Sequence, residues 1–316
     1  MRMKSRLRLL LATGLLVGVA FPARAEIERT VEKTFAADSG GTLWVETRGG
    51  EISVVSSADP VVKVVAHERI RAGTEAKADR LLRSLVLTLD QRGYEITATA
   101  RYRRSWFGLL FGSRPAVQVD FVVTVPANFG ADLRTSEGKI TVGNLGGAVR
   151  ARTAGADISL GIIGGAVDAR TSGAGIALDD GRGTVKLSTS RGDLAVGHAG
   201  GPAALATSGG DIRVGFVENA IQATTRGGNI RVGFVGPLRA DSALTTSGGG
   251  VKIDVDPTAA FRLDASASGG QVDVGELASA LTTTKRGHNW LIAAANGGGP
   301  RLRLRASGDD VVVRAR

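Results

Sequence analysis

Two aspartates, Asp193 and Asp211, stand eighteen residues apart inside nearly identical segments, TSRGDLAVG and TSGGDIRVG. If equal offsets in adjacent repeats become neighbours, the two carboxylates fall about 5 Å apart, the separation of a retaining glycosidase pair. The same offset, however, carries Asp157, Gly175, Asp193, Asp211 and Asn229. Asp and Asn are favoured at turns because their short side chains bond nearby backbone amides. Arg213 and Arg231 follow two residues on and would screen the charge. The column therefore reads as a turn device, and no catalytic residue is assigned.

Other chemistry finds little footing. There is no cysteine, so thiolate chemistry, disulfides and cysteine–zinc sites are excluded. His67, His198 and His288 are far apart in the chain and fall on different repeats, which supplies neither metal-ligand spacing nor a Ser-His-Asp triad. The run S-G-G-D-I-R lacks the second glycine–x–aspartate step of calcium-binding β-roll repeats. The glycine-rich runs have no phosphate-loop lysine with a following helix. No cofactor and no metal is expected.

Basic columns are better candidates for contact. Arg213, Arg231 and Lys252 share one offset on three consecutive repeats. Arg301, Arg303 and Arg305 alternate along one strand and fall on one face. Such ladders suit anionic polymers or lipid headgroups; they also serve as solvated faces that discourage edge-to-edge aggregation. The segment RYRRSWFGLLFGSR (101–114) sets Trp106, Phe107, Leu110 and Phe111 between arginines. It is expected to cover the end of the core or to dock on a membrane or partner.

The elements that position these residues follow from a repeat. Threonine anchors recur at Thr135, Thr153, Thr171, Thr189, Thr207 and Thr225, then at Thr246, with Ala267, Lys285 and Ala306 continuing the series at steps of 18 or 21. Five and seven residues after each anchor stand apolar side chains, from Ile140 and Val142 to Val311 and Val313, with Trp290 and Ile292 among them. Period-two alternation means strands with one buried face. Glycine pairs such as Gly209-Gly210 and Gly227-Gly228 lie between the runs and are expected to supply positive backbone angles at corners. A fixed period with two short strands in each repeat predicts an all-β protein: a β-solenoid of about ten coils of 18–21 residues, expected to be right-handed. Residues 26–130 are less regular. They read as strands over 27–36, 42–48, 51–56, 61–70, 84–90, 93–104 and 116–125, with one short helix over 75–83 capped by Thr74. This region forms a β-rich cap, while TRGGEISV (47–54) already matches the repeat.

The first 25 residues have a basic start, an apolar run over 9–21 and the small-x-small pattern Ala23-Arg24-Ala25, which is the pattern of a cleaved signal peptide. They hold five basic residues and no acidic ones, so removing them takes the net charge from +10 to +5. Export places the protein in the periplasm or on the cell surface and makes nucleic acid an unsuitable partner. The expected organisation is signal peptide 1–25, cap 26–130 and repeat domain 131–316.

T-S-G-x-I-x-V repeats after a signal peptide, preceded by FVVTVPANFG (121–130), resemble a bacterial family of putative adhesins with β-strand repeats, a domain of unknown function. The resemblance spans most of residues 40–316 and implies a β-solenoid, but it brings no catalytic residues with it. The expected function is a non-catalytic envelope or surface scaffold that contacts an anionic envelope polymer, a membrane surface or a protein partner. The alternative is a polysaccharide lyase or hydrolase on a parallel β-helix.

Overall fold

Alternating side chains produce strands almost throughout the computed structural model, which describes residues 26–37, 40–103 and 116–316. The strands form two long sheets, of 13 and 14 strands. In the repeat region the chain gives one strand to each sheet in turn: Val149–Arg152 to one, Ile158–Ile163 to the other, Val167–Arg170 back to the first. Parallel neighbours need a crossover, and here the strand in the opposite sheet serves as that crossover. Each strand lies parallel to its counterpart eighteen residues on, or twenty-one residues on from Gln222 and Ile230. Ile158 stands opposite Ile176, Ile176 opposite Leu194, Leu194 opposite Ile212, and Ile212 opposite Ile230. These columns are buried and form one continuous core.

The anchor threonines explain the T of the motif. They are buried where the chain leaves one sheet for the other. Each hydroxyl donates to a carbonyl of the preceding repeat: Thr207 to Gly192 O at 2.9 Å, Thr225 to Gly210 O at 2.8 Å, Thr246 to Gly228 O at 2.7 Å. The same bond recurs from Thr135 onward and extends to Thr47, which donates to Val119 O at 2.9 Å. Each oxygen thus satisfies its own buried polarity while tying one repeat to the next.

The glycines do a different job from the one expected. Positive φ angles among the glycines occur at Gly40, Gly93, Gly236, Gly275, Gly297 and Gly298, and not at the paired repeat glycines. The second glycine of a pair is required by close approach: a Cβ on Gly210 would stand 2.7 Å from Asp193 N and closer still to the Gly192 carbonyl. At Gly192, Gly210 and Gly228 the repeats stack backbone on backbone with no room for a Cβ, whereas Ala156 and Ala174 take the same offset in two earlier repeats.

The expected strands and helix in residues 26–130 are present, the helix as Glu75–Leu82 with Thr74 accepting from Lys77 N. Thr42–Glu46 and Ile52–Ser57 join the two sheets directly, parallel to Gly130–Arg134 and Ile140–Val142. Outside them lie Glu95–Tyr102 and Val117–Pro126, and beyond these come antiparallel strands. No helix among the described residues is long and apolar enough to cross a membrane.

At the C-terminal end, chain order and spatial order part. Arg301–Ala306 packs on Ser242–Thr246, with Ala306 opposite Thr246 and Ala267 one strand further out. Lys285 belongs to an antiparallel hairpin formed by Leu281–Arg286 and Trp290–Ala295. The anchors Thr246, Ala267, Lys285 and Ala306 therefore do not follow one another as successive coils. In the hairpin Leu291 and Ala293 face inward, opposite Ala265 and Leu263, so Trp290 and Ile292 point outward rather than into the core.

Candidate functional site

The aspartate column is a turn ladder in three dimensions. Asp193 Oδ1 accepts from Asp211 N at 2.8 Å, Asp211 Oδ1 accepts from Asn229 N at 2.8 Å, and Asn229 Oδ1 accepts from Gly250 N at 2.9 Å. The second oxygens of both aspartates meet one guanidinium: Arg213 Nη1 lies 3.3 Å from Asp193 and Nη2 lies 2.5 Å from Asp211. Each carboxylate thus has one oxygen held by an amide and the other by an arginine, and neither is left free to meet a substrate.

Arg213, Arg231 and Lys252 do form a ladder, opposite one another across neighbouring strands. Arg213 is bound to the aspartates, Arg231 Nε lies 4.0 Å from Asp254, and Lys252 makes no ion pair among the described residues. They line a shallow surface depression of about 360 Å³ that also receives Asp211, Asp309 and Asp310. Its charge is mixed, so it offers an anion little net attraction.

Arg301, Arg303 and Arg305 share an outward face as expected, and they converge on a partner the sequence reading missed. Asp264, on the adjacent strand, accepts from Arg301 and from Arg305 (2.7 Å) and lies 3.8 Å from Arg303 Nε. Burial pushes the Asp264 carboxyl upward, but the hydrogen bonds from Arg305 and Arg301 outweigh it and hold the pKa below its ordinary value. Three guanidiniums against one carboxylate leave this face positive.

Two further groups escaped the sequence reading. Arg134, Arg152 and Arg170, each just before an anchor threonine, stand in one column beside Asp132 and Asp168. Arg134 also lies 4.4 Å over the Trp44 ring. Asp180, His198 and Glu218 meet on three consecutive repeats: His198 Nδ1 is 2.8 Å from Asp180 and Nε2 is 3.0 Å from Glu218. The hydrogen bond to Asp180, with help from Glu218, raises the His198 pKa against a smaller opposing effect of burial. Offsets of 18 and 20 residues were the available signal. Trp106, Phe107, Leu110 and Phe111, like residues 1–25, lie outside the described residues.

No protein-family model matches this chain, and no curated protein does. Among solved structures the chain is similar to a putative adhesin from Bacteroides fragilis, with 14% identity, 90% of this chain and 97% of that one covered, and a TM-score of 0.41. It is also similar to a putative adhesin from Parabacteroides merdae, at 9% identity, 90% and 96% coverage and a TM-score of 0.31. A putative lipid binding protein from Parabacteroides distasonis gives 13% identity, 90% and 96% coverage and a TM-score of 0.48. The adhesin description is the one that the T-S-G-x-I-x-V and FVVTVPANFG motifs resemble.

Proposed function

We propose that the protein is an exported, non-catalytic β-solenoid scaffold of the bacterial envelope, with residues 26–130 as its cap. Its basic sheet face holds an anionic macromolecule at the periplasmic or outer surface. The observation that carries this reading is the fate of the carboxylates. The aspartates at equal offsets are spent on amides and on Arg213, whereas the arginines of the strand Arg301–Ala306 outnumber their one carboxylate partner. Buried threonine bonds tie the repeats from Thr135 to Thr246, and fixed charges cost less to immobilise on binding. The signal-peptide pattern of residues 1–25 supports export.

The test is binding by the protein purified after export. It should bind immobilised acidic polymers with an affinity that falls as salt rises, and Asp193→Asn and Asp211→Asn should leave that binding intact. Turnover of any polysaccharide that is abolished by either substitution in a folded protein would make the scaffold reading wrong.

A further inference from the structure

The hairpin at the C-terminal end of the 14-stranded sheet carries two large apolar side chains on its solvent face: Trp290 is 38% exposed and Ile292 is 40% exposed. Their strand pairs with Phe261–Ala267, which sets Trp290 opposite Ser266 and Ile292 opposite Asp264. On its other side the same strand places Ser266 opposite Arg305 and Asp264 opposite Arg303. Two rows therefore cross three strands, Trp290–Ser266–Arg305 and Ile292–Asp264–Arg303. At about 4.8 Å between strands, the Trp290 and Arg305 backbones are roughly 10 Å apart.

The parts of this face are held in place. A Cβ on residue 287 would stand 2.7 Å from Trp290 Cδ1 and nearer to Nε1, so the indole lies down on its own hairpin turn in space that only Gly287 leaves open. Asp264 fixes Arg301 and Arg305 by direct bonds, Arg305 Nη1 also donates to the carbonyls of Asp264 and Leu304, and Arg303, 3.8 Å from Asp264, is the least committed of the three. Asp264 is the one acidic residue in the four strands 261–267, 281–286, 290–295 and 301–306.

We propose that this face is a binding site for an acidic polysaccharide. A sugar ring stacks on Trp290, and carboxylate or sulfate groups of neighbouring sugars pair with Arg303 and Arg305. This rests on the scaffold reading and gives its ligand a class and a place. A bound chain of linked rings needs both an aromatic platform and fixed anion partners at a set distance, and preorganised partners cost less to immobilise on binding. Guanidiniums suit carboxylates and sulfates through paired N–H donors. A lipid surface would instead reward side chains that project outward, and this indole is packed against the turn.

The experiment titrates the protein, purified after export, with polygalacturonate, dextran sulfate and neutral dextran by calorimetry, and with phosphatidylglycerol vesicles by sedimentation. Trp290→Ala and Arg303→Ala, both exposed, are compared with the parent after circular dichroism confirms the fold. At least one acidic polysaccharide should bind, dextran should not, and each substitution should weaken binding tenfold or more. Acidic-polymer binding that is unchanged by both substitutions overturns this site while the scaffold reading stands. Binding to neither acidic polymer overturns both. Vesicle binding that depends on Trp290, without polysaccharide binding, assigns the face to membrane and overturns the proposal.

Discussion

The adjacent pair Gly209 and Gly210 offers an internally controlled perturbation. Gly210 is buried under the preceding repeat, and a Cβ there would meet the Gly192 carbonyl and stand 2.7 Å from Asp193 N. Both are backbone atoms of a stacked strand and cannot rotate away. Gly210 also accepts from Thr225 Oγ1 at 2.8 Å and donates to Thr207 Oγ1 at 3.3 Å, so any shift that relieves the clash loosens two threonine ties. Forcing a methyl into a packed interior costs about 1–3 kcal/mol and more where backbone must move; Gly210→Ala belongs at or above the upper end, about 3 kcal/mol. Gly209→Ala meets nothing closer than Arg191 O at 3.4 Å, ordinary contact, and its φ is not positive. That substitution should be neutral or should stabilise by about 0.4–1 kcal/mol through the unfolded chain. Urea unfolding followed by far-ultraviolet circular dichroism measures both. Equal midpoints for the two variants would refute the close-stacking account and would return the glycines to a conformational role.

Three other substitutions probe separate parts of the stack. Ile212 is fully buried, so Ile212→Asp should cost several kcal/mol by burying an unpaired carboxylate, while exposed Arg213→Asp should cost far less; similar melting temperatures would contradict the assigned faces. Thr207→Val removes the donor to Gly192 O and should cost about 1–3 kcal/mol in thermal unfolding, whereas Ser208→Ala should change little. His198 has a raised pKa in the folded protein, so its contribution is fully present below its unfolded value near 6.5 and is lost as pH rises through the folded value. The melting-temperature gap between the parent and His198→Gln should therefore be widest near pH 5 and shrink by about pH 9, and a gap independent of pH would show that the imidazole is not charged in its place.

How much of this was open to sequence reasoning depends on the range of the signal. Strand positions and buried faces from Ile140 to Ile253 follow from alternation because every neighbour there is the next repeat, and one local pattern fixes both pairing and register. The offset rule also brought Arg213 beside Arg231 and aligned the aspartates. It failed at Ala267, Lys285 and Ala306, where the chain runs outward and returns. A pattern of alternating side chains states which face is buried, but not which strand lies alongside. The outward turn of Trp290 and Ile292 came from the same cause. In a hairpin the facing residues are set by the turn, and the inward positions went to Leu291 and Ala293. Asp264 was overlooked as the partner of Arg301, Arg303 and Arg305 because 37 to 41 residues separate them in the chain.

Both ends of the stack are covered by the chain itself, and the cover has a physical reason. At one end residues 42–57 lie inside 95–126; at the other, 301–315 lie inside 261–273. A repeat region that simply stopped would leave an open parallel edge, whose unpaired amides and carbonyls recruit further strands. At the first end the chain fills the inner position and then runs outward, and at the second it runs outward and fills the inner position last; either way the regular edge is covered by strands that no longer repeat. Three of the four outermost strands carry features that block pairing. Ile27–Ala36 bears Glu28, Arg29, Glu32 and Lys33, with Arg29 tied to Glu75 and Asp79 at 2.7 Å each. Val272–Asp273 is only two residues long and runs into the 3-10 helix Gly275–Ala280. Leu281–Arg286 ends in Lys285 and Arg286. At these three edges growth is opposed by charge, by shortness and by a break in hydrogen bonding.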